Sequence, residues 1–226
     1  SREFLEQLER LGVDASSSVA GAHTSFGGAM PAESLAPALA IYADLARRPL
    51  LPDDQLDAEV DKWCRSLSTV EETLAPRWQQ VAEALRSHTP PALAPAVVHG
   101  DFRLGNLLAD DRGINAVVDW EIWSVGDPRV DVGWFLINAD PDTYHRVTPY
   151  RGSTPPVDEL IATYRDALED DVPHLEWFQS LACFKSTATW SLIVKHNRRR
   201  QTPDPALERM AAVLPDLLAR AGEYLR

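Results

Sequence analysis

The sequence predicts a mostly helical α+β fold with a small β-hairpin at its centre. Two observations carry that prediction. Apolar residues recur at steps of three and four through residues 34–88 and again through 157–225, the period of a helix face. Between these regions lie three short apolar runs, Ala96-Val97-Val98, Asn106-Leu107-Leu108 and Ala116-Val117-Val118. Turn residues separate the last two, as in paired strands. Composition sets the frame: 226 residues, 45% apolar and 25% charged, are the proportions of a globular chain long enough to bury a core.

Charge and cysteine usage exclude several function classes. The formal charge of −12 argues against a nucleic-acid partner, because phosphate contacts need clustered Lys and Arg. The single basic cluster, Lys195 to Arg200, follows an apolar helix and reads as a helix C-terminus complementing the macrodipole. No apolar run reaches the roughly 18 residues of a spanning helix, so no membrane partner is expected. The opening SREFLEQLERLG mixes charged with apolar residues and does not read as a secretory signal. Cys64 and Cys183 are too few for a disulfide scaffold and lack metal-ligand spacing, which suggests two core thiols in a cytoplasmic protein.

Taken in order, residues 1–11 predict a short amphipathic helix with Phe4, Leu5, Leu8 and Leu11 on one face. Residues 12–33, rich in Gly, Ala and Ser, read as a linker, so that 1–33 stands apart from a body at 34–226. Phe26-Gly27-Gly28 is not read as a phosphate loop, since no apolar strand precedes it and no Gly-Lys-Ser/Thr ends it. Val60, Trp63, Leu67, Val70, Leu74, Trp78, Val81 and Leu85 form a buried stripe on one helix, or on two broken near Pro76. Pro90, Pro91 and Pro95 end this region. Beyond Pro128, Val157 to Leu168 mark one helix, entered from Ser153-Thr154-Pro155-Pro156. Leu175 to about His196 mark a second, and Leu207 to Leu225 a third.

The chemistry concentrates in residues 97–135. Asp101 and Asn106 lie five apart on a turn between two apolar runs, and Asp119 ends the next run. A hairpin of that length returns Asp119 to Asn106, so three oxygen-bearing side chains converge at one end of a small sheet. Carboxylate and amide oxygens are ligands that Mg²⁺ takes, with water and phosphate oxygens completing its shell. A carboxylate beside such a centre can instead accept a proton from an incoming hydroxyl.

His99-Gly100-Asp101-Phe102-Arg103-Leu104-Gly105-Asn106, then Val118-Asp119-Trp120-Glu121, then Gly126-Asp127-Pro128 with Asp131, resembles the catalytic segment of the aminoglycoside phosphotransferase and choline kinase-like enzymes. These are relatives of the protein kinases. The loop form followed by Asp-Trp-Glu is most similar to the kinase-like domains associated with acyl-CoA dehydrogenases. The resemblance implies a protein-kinase-like C-terminal lobe, with ATP as phosphoryl donor and Mg²⁺ as cofactor. It gives Asp101 the part of orienting and deprotonating the acceptor hydroxyl, and Asn106 and Asp119 the metal. It makes His99 a brace for the loop, and Asp127 and Asp131 structural ties to the following loop and helix. Glu121 reaches the metal through water or points to the opposite side of its strand. Arg103 touches a phosphate or acidic substrate, or pairs with a nearby Asp.

The resemblance covers about residues 34–226, with sharp motifs only in 97–135. The small β lobe of such enzymes supplies a strand Lys, and nothing ahead of His99 reads as that strand. Lys62, the one lysine there, lies in a helical stripe. Two readings follow. Either the chain is the large lobe of a longer small-molecule O-phosphotransferase, completed in cis by an N-terminal lobe, or it is a non-catalytic binding or scaffolding domain lacking that lobe. The first residue is not Met, which favours the former, and the isolated chain is expected to be inactive. An uncovered apolar face predicts a homodimer. A metal-dependent hydrolase is a remoter reading, without the expected His/Asp pair spacing.

The acceptor is expected to be a small molecule carrying a hydroxyl: an aminoglycoside, a choline-like compound or, by the loop form, a hydroxyacyl compound. Helices after the motif carry Tyr164, Trp177, Phe178 and Trp190. Asp158, Glu159, Asp166, Glu169, Asp170 and Asp171 read as a solvated acidic face rather than a subsite for a cation.

Overall fold

Described in the computed structural model are residues 2–20, 23–47, 55–145, 154–168 and 171–226. The chain opens with α1 (Arg2–Arg10), followed by strands β1 (Asp14–Ala20) and β2 (His23–Ala29). The two strands pair antiparallel from Asp14 opposite Ala29 to Ala20 opposite His23. The linker expected over 12–33 is therefore largely a hairpin. Ser, Ala and Gly leave the backbone ladder unobstructed, yet they carry neither the branched bulk nor the apolar alternation by which a strand is recognised in sequence. Leu8, Val13 and Ala38 are buried together in a cluster with Leu11, Met30 and Ile41 packed against it. The side chains of Phe4 and Leu5 lie outside the described residues.

Helices α2 (Leu35–Arg47), α3 (Gln55–Leu67) and α4 (Trp78–Ser87) follow. The apolar stripe from Val60 to Leu85 is divided by turns over 68–77, a wider break than one at Pro76 alone. Val60, Leu67 and Leu85 pack with Trp177, Phe178, Leu181 and Phe184 in the main core, while Leu74 joins Val194 and Leu214 in a second cluster. Trp63 and Trp78 are half-buried against the main core, as a packing stripe requires.

Four short strands come next: β3 (Ala96–Val98), β4 (Leu107–Asp110), β5 (Gly113–Val117) and β6 (Ser124–Gly126). β4 and β5 form the central hairpin, with Leu107 opposite Val117. β3 pairs instead with β6, Ala96 opposite Gly126. That pairing brings the chain beyond Asp119 back to the start of the His99 loop. Helix α5 (Arg129–Ala139) then packs against the later helices.

The last part comprises α6 (Val157–Leu168), α7 (Leu175–Arg198), α8 (Pro205–Glu208) and α9 (Leu214–Glu223). α6 has no fully buried residue, and Asp158, Glu159 and Asp166 are exposed on it, so the acidic face is solvated as expected. Ser153, Glu169 and Asp170 lie outside the described residues. α7 is the axis of the body, contacting α3, α4, α5 and α9, and it is buried almost without interruption from Trp177 to Ala188. Trp177 and Phe178 are therefore core, not acceptor-facing. Gly133 lets α5 lie against α7: a Cβ there would fall 2.5 Å from the Phe178 carbonyl oxygen. The single helix expected through 207–225 is divided, with a 3₁₀ turn at Arg209–Ala212 and Pro215 in the first turn of α9. A proline is tolerated there because the N–H it lacks has no helical partner. Among the described residues no helix is long and apolar enough to cross a membrane.

Candidate active site

The loop from His99 to Asn106 is held from below by the first turn of α5. Asp131 accepts the His99 N–H at 2.5 Å on Oδ2 and the Gly100 N–H at 2.9 Å on Oδ1. Gly100 has φ of +85°, and a Cβ there would meet the Ile122 carbonyl oxygen at 2.7 Å. Only glycine combines that left-handed backbone with so close an approach.

His99 is 2% exposed and ties three segments. Its Nδ1 accepts the Asp101 N–H at 3.2 Å, and its Nε2 lies 2.9 Å from the Val118 carbonyl oxygen. A carbonyl can only accept, so Nε2 is the donor there and Nδ1 the acceptor. The ring packs against Trp120 with centroids 4.5 Å apart. His99 thus links the loop to the strand that leads into Asp119.

Asp101 receives donors on both carboxylate oxygens. Trp134 Nε1 donates to Oδ1 at 2.8 Å, while Asn106 Nδ2 at 2.9 Å and Arg103 Nε at 3.0 Å donate to Oδ2. Asn106 is buried, and its Nδ2 also donates to the Asp101 carbonyl at 2.9 Å. Both amide hydrogens are used, which fixes the orientation of the amide and leaves its Oδ1 as the acceptor not spent on the loop. Arg103, for which two readings stood open, pairs with an aspartate here, and that aspartate is Asp101 itself.

The Asn106 carbonyl accepts the Val118 N–H at 2.9 Å, so the hairpin returns the chain to Asn106 one residue before Asp119. Asp119 is exposed and has φ of +70°, a left-handed conformation that ends the strand. Glu121 is exposed two residues further on. Asp127 is 4% exposed and lies apart from the loop. It accepts from Leu93 N at 2.9 Å and from Arg129 Nη2 at 2.7 Å. Burial raises the Asp127 carboxyl, but these hydrogen bonds and the Arg129 charge outweigh it and hold the group below its ordinary value. Arg129, 1% exposed, also donates to the Pro91 and Pro173 carbonyls, at 2.7 and 3.0 Å.

Two residues of this region escape the sequence reasoning. Trp134 sits three residues after Asp131, one helical turn along α5, which is the only signal of its place. Lys185 comes from α7, where it is the lone charge between Trp177 and Val194. It is 6% exposed, donates to the Gly100 carbonyl oxygen and lies 4.2 Å from the centroid of the Trp134 ring. Burial, its largest influence, draws the ammonium pKa down to about 8; the nearby charge of Lys62 lowers it further, and Glu59, Asp101 and Asp131 pull the other way.

Among the described residues, no group of three or more His, Cys, Asp and Glu side chains is placed to hold a metal. The Asn106 amide oxygen and the Asp119 carboxylate, whose backbones the hairpin brings within one residue of each other, are hard oxygen donors of the kind Mg²⁺ takes alongside water and phosphate.

The profile of the phosphotransferase enzyme family matches residues 32–181. Acyl-CoA dehydrogenase family member 10 of Mus musculus is 32% identical over 83 residues, 36% of this chain and 8% of that protein. Acyl-CoA dehydrogenase family member 11 of Pongo abelii is 27% identical over 181 residues, 70% of this chain and 23% of that protein. The chain thus spans less than a quarter of the length of either relative. In fold, it is similar to the crystal structure of a Ralstonia eutropha protein assigned as an aminoglycoside phosphotransferase. That similarity has a TM-score of 0.65 at 18% identity and covers 100% of this chain and 82% of the other.

Proposed function

The chain belongs to the phosphotransferase enzyme family, and on that premise we propose that it forms the large lobe of an ATP- and Mg²⁺-dependent enzyme that phosphorylates a hydroxyl of a small molecule. The observation that carries this reading is the pair of hydrogen bonds from Asn106 Nδ2 to Asp101, which aims one side chain as a base and spares the amide oxygen of the other. Asp101 orients the acceptor hydroxyl and takes its proton on a carboxylate oxygen as the oxygen attacks phosphorus. Trp134 holds that carboxylate from the other side, and His99 and Asp131 fix the backbone beneath it. Asn106 Oδ1 and Asp119 would hold Mg²⁺, which when bound neutralises charge on the nucleotide phosphates. The Asp-Trp-Glu form, shared by resemblance with kinase-like domains of acyl-CoA dehydrogenase proteins, favours a hydroxyacyl type of acceptor over an antibiotic.

The test uses the full reading frame that contains this chain. Transfer from ATP to a hydroxyl acceptor should fall about 10²- to 10⁴-fold in Asp101→Asn, the span ascribed to one general base, with nucleotide binding retained. One observation favours a second reading, a non-catalytic domain: the cation of Arg103 already occupies Asp101 Oδ2. Nucleotide binding with no transfer to any hydroxyl, in both the native protein and Arg103→Met, would establish that reading and overturn the first.

A further inference from the structure

We propose that the cleft between α3 and β6 binds the anionic end of the acceptor, a hydroxycarboxylate with an apolar chain, and that Lys185 is its counter-charge. The identification of the ligand as acceptor rests on the phosphotransferase reading; the anion site itself does not.

Lys185 is a buried cation without a bound anion. No carboxylate lies within 4.0 Å of Lys185 Nζ among the described residues, and its one hydrogen-bond acceptor is the Gly100 carbonyl. The acidic groups that face it are committed elsewhere. Glu59 on α3 takes the Trp63 indole N–H at 2.8 Å and Lys62 at 3.5 Å. Asp131 on α5 is spent on His99 and Gly100, and Asp101 on Trp134, Asn106 and Arg103. An ammonium has three N–H donors, so two remain beyond the one given to Gly100. A buried charge that has no counter-ion is costly to keep. Burial accordingly draws the Lys185 pKa down to about 8.

That ammonium lines a cleft of about 370 Å³, within the size range of small-molecule sites. Leu56, Trp63, Ile122, Val125 and Val130 make its walls largely apolar and exposed Lys62 and Arg65 stand at its rim; the two carboxylates that also line it are already paired, Glu59 with Trp63 and Lys62 and Asp127 with Arg129. Two of the three lysines in a chain of charge −12 therefore face one cleft. Apolar walls around a buried ammonium suit a carboxylate on a hydrocarbon chain, and neither a polycation nor a neutral sugar. The cleft also includes Gly100, the residue before Asp101, so an acid seated on Lys185 lies beside the proposed base.

The experiment is calorimetric binding to this chain, without nucleotide, of medium-chain β-hydroxycarboxylates and of their methyl esters. The acids should bind at least about tenfold more tightly than the esters, the worth of one charge-assisted hydrogen bond. Lys185→Met should bring acid affinity down to that of the ester, and acid binding to the native chain should weaken as the pH rises past 8. Equal affinity for acid and ester, binding of neither, or acid binding unchanged in a folded Lys185→Met overturns the proposal. The acid–ester comparison uses the native chain and so stands even if the variant does not fold. Acid binding through Lys185 without any phosphoryl transfer would remove the phosphotransferase reading and leave the anion site. Transfer to cationic acceptors alone would leave the phosphotransferase reading and overturn the identification of the bound acid as acceptor.

Discussion

The indole N–H of Trp134 donates to Oδ1 of Asp101 at 2.8 Å, joining the first turns of α5 to the one carboxylate of the loop that both an amide and a guanidinium also address. Trp134→Phe keeps an aromatic side chain but removes the indole N–H together with the five-membered ring that carries it. On the proposed activity, it should lower kcat of the protein that contains this chain about tenfold or more, with KM for the nucleotide unchanged. Steady-state kinetics with a parallel circular-dichroism spectrum check this; an unchanged kcat would show that the contact does not orient the base.

Arg129 and Asp127 form an ion pair whose side chains are 1% and 2% exposed. Removing one partner of such a pair leaves a buried charge uncompensated. Arg129→Met should cost about 3–5 kcal/mol in urea denaturation, and the double variant with Asp127→Asn should recover part of it. The Asp127 carboxyl is held below its ordinary value by Arg129 and the Leu93 N–H, against the opposing influence of burial. A carboxylate depressed in the folded state gives stability that is complete above its unfolded pKa near 4 and is lost as the pH falls through the folded value. Acid unfolding of the native chain should therefore steepen below about pH 4, and the double variant should lack this component.

For Lys185 the pH slope has the same sign, but the shift is a penalty on the charged form rather than a gain. Its pKa falls from 10.5 to about 8 on folding, chiefly through burial. Between those values the unfolded chain binds the extra proton, so stability rises with pH across that interval. The penalty below pH 8 is on the order of 3 kcal/mol. Without ligand, Lys185→Met should be more stable than the native chain at neutral pH, and the difference should shrink from pH 8 to 10.5. Thermal melts across that range test it; parallel curves for the two proteins would contradict it.

Gly100→Ala places a Cβ 2.7 Å from the Ile122 carbonyl oxygen at φ of +85°. Stability should fall by about 1–3 kcal/mol. Because Asp101 is the next residue, the proposed phosphoryl transfer should fall by more than the stability loss alone explains. An active Gly100→Ala enzyme with native kinetics would mean the loop tolerates a shift at its base.

The parts of this site that were legible in the sequence are those set by short-range spacing. Asp101 and Asn106, five residues apart, meet through a side-chain hydrogen bond, and the hairpin that returns the chain to Asp119 follows from the turn at Asp110–Gly113. Helix α7 was legible because its apolar positions recur over many turns. Trp134 and Lys185 were not, because their contacts cross 33 and 85 positions and depend on how α5 and α7 pack. The β3–β6 pairing was hidden for a related reason: three-residue strands carry no periodicity, and their partnership is decided by the loop between them. The hairpin at Asp14–Ala29 was missed because its residues are small and polar, so the backbone ladder has no side-chain pattern to announce it. The division of the last helix at Pro215 was written in the sequence, and the run of leucines around it masked the signal.

Arg129 also bears on the order in which this protein can assemble. Its guanidinium gathers carbonyls from Pro91, 38 positions upstream, and Pro173, 44 positions downstream, and its charge rests on the ring of Phe178. A nascent chain leaving the ribosome presents the whole His99–Asp131 motif well before Pro173, Phe178 and Lys185 have been synthesised. Until they arrive, the knot around Arg129 is untied and the Gly100 carbonyl lacks its lysine. These contacts become available only when the C-terminal part has been made, and truncation before α7 would remove Phe178 and Lys185 even though every motif residue is still encoded.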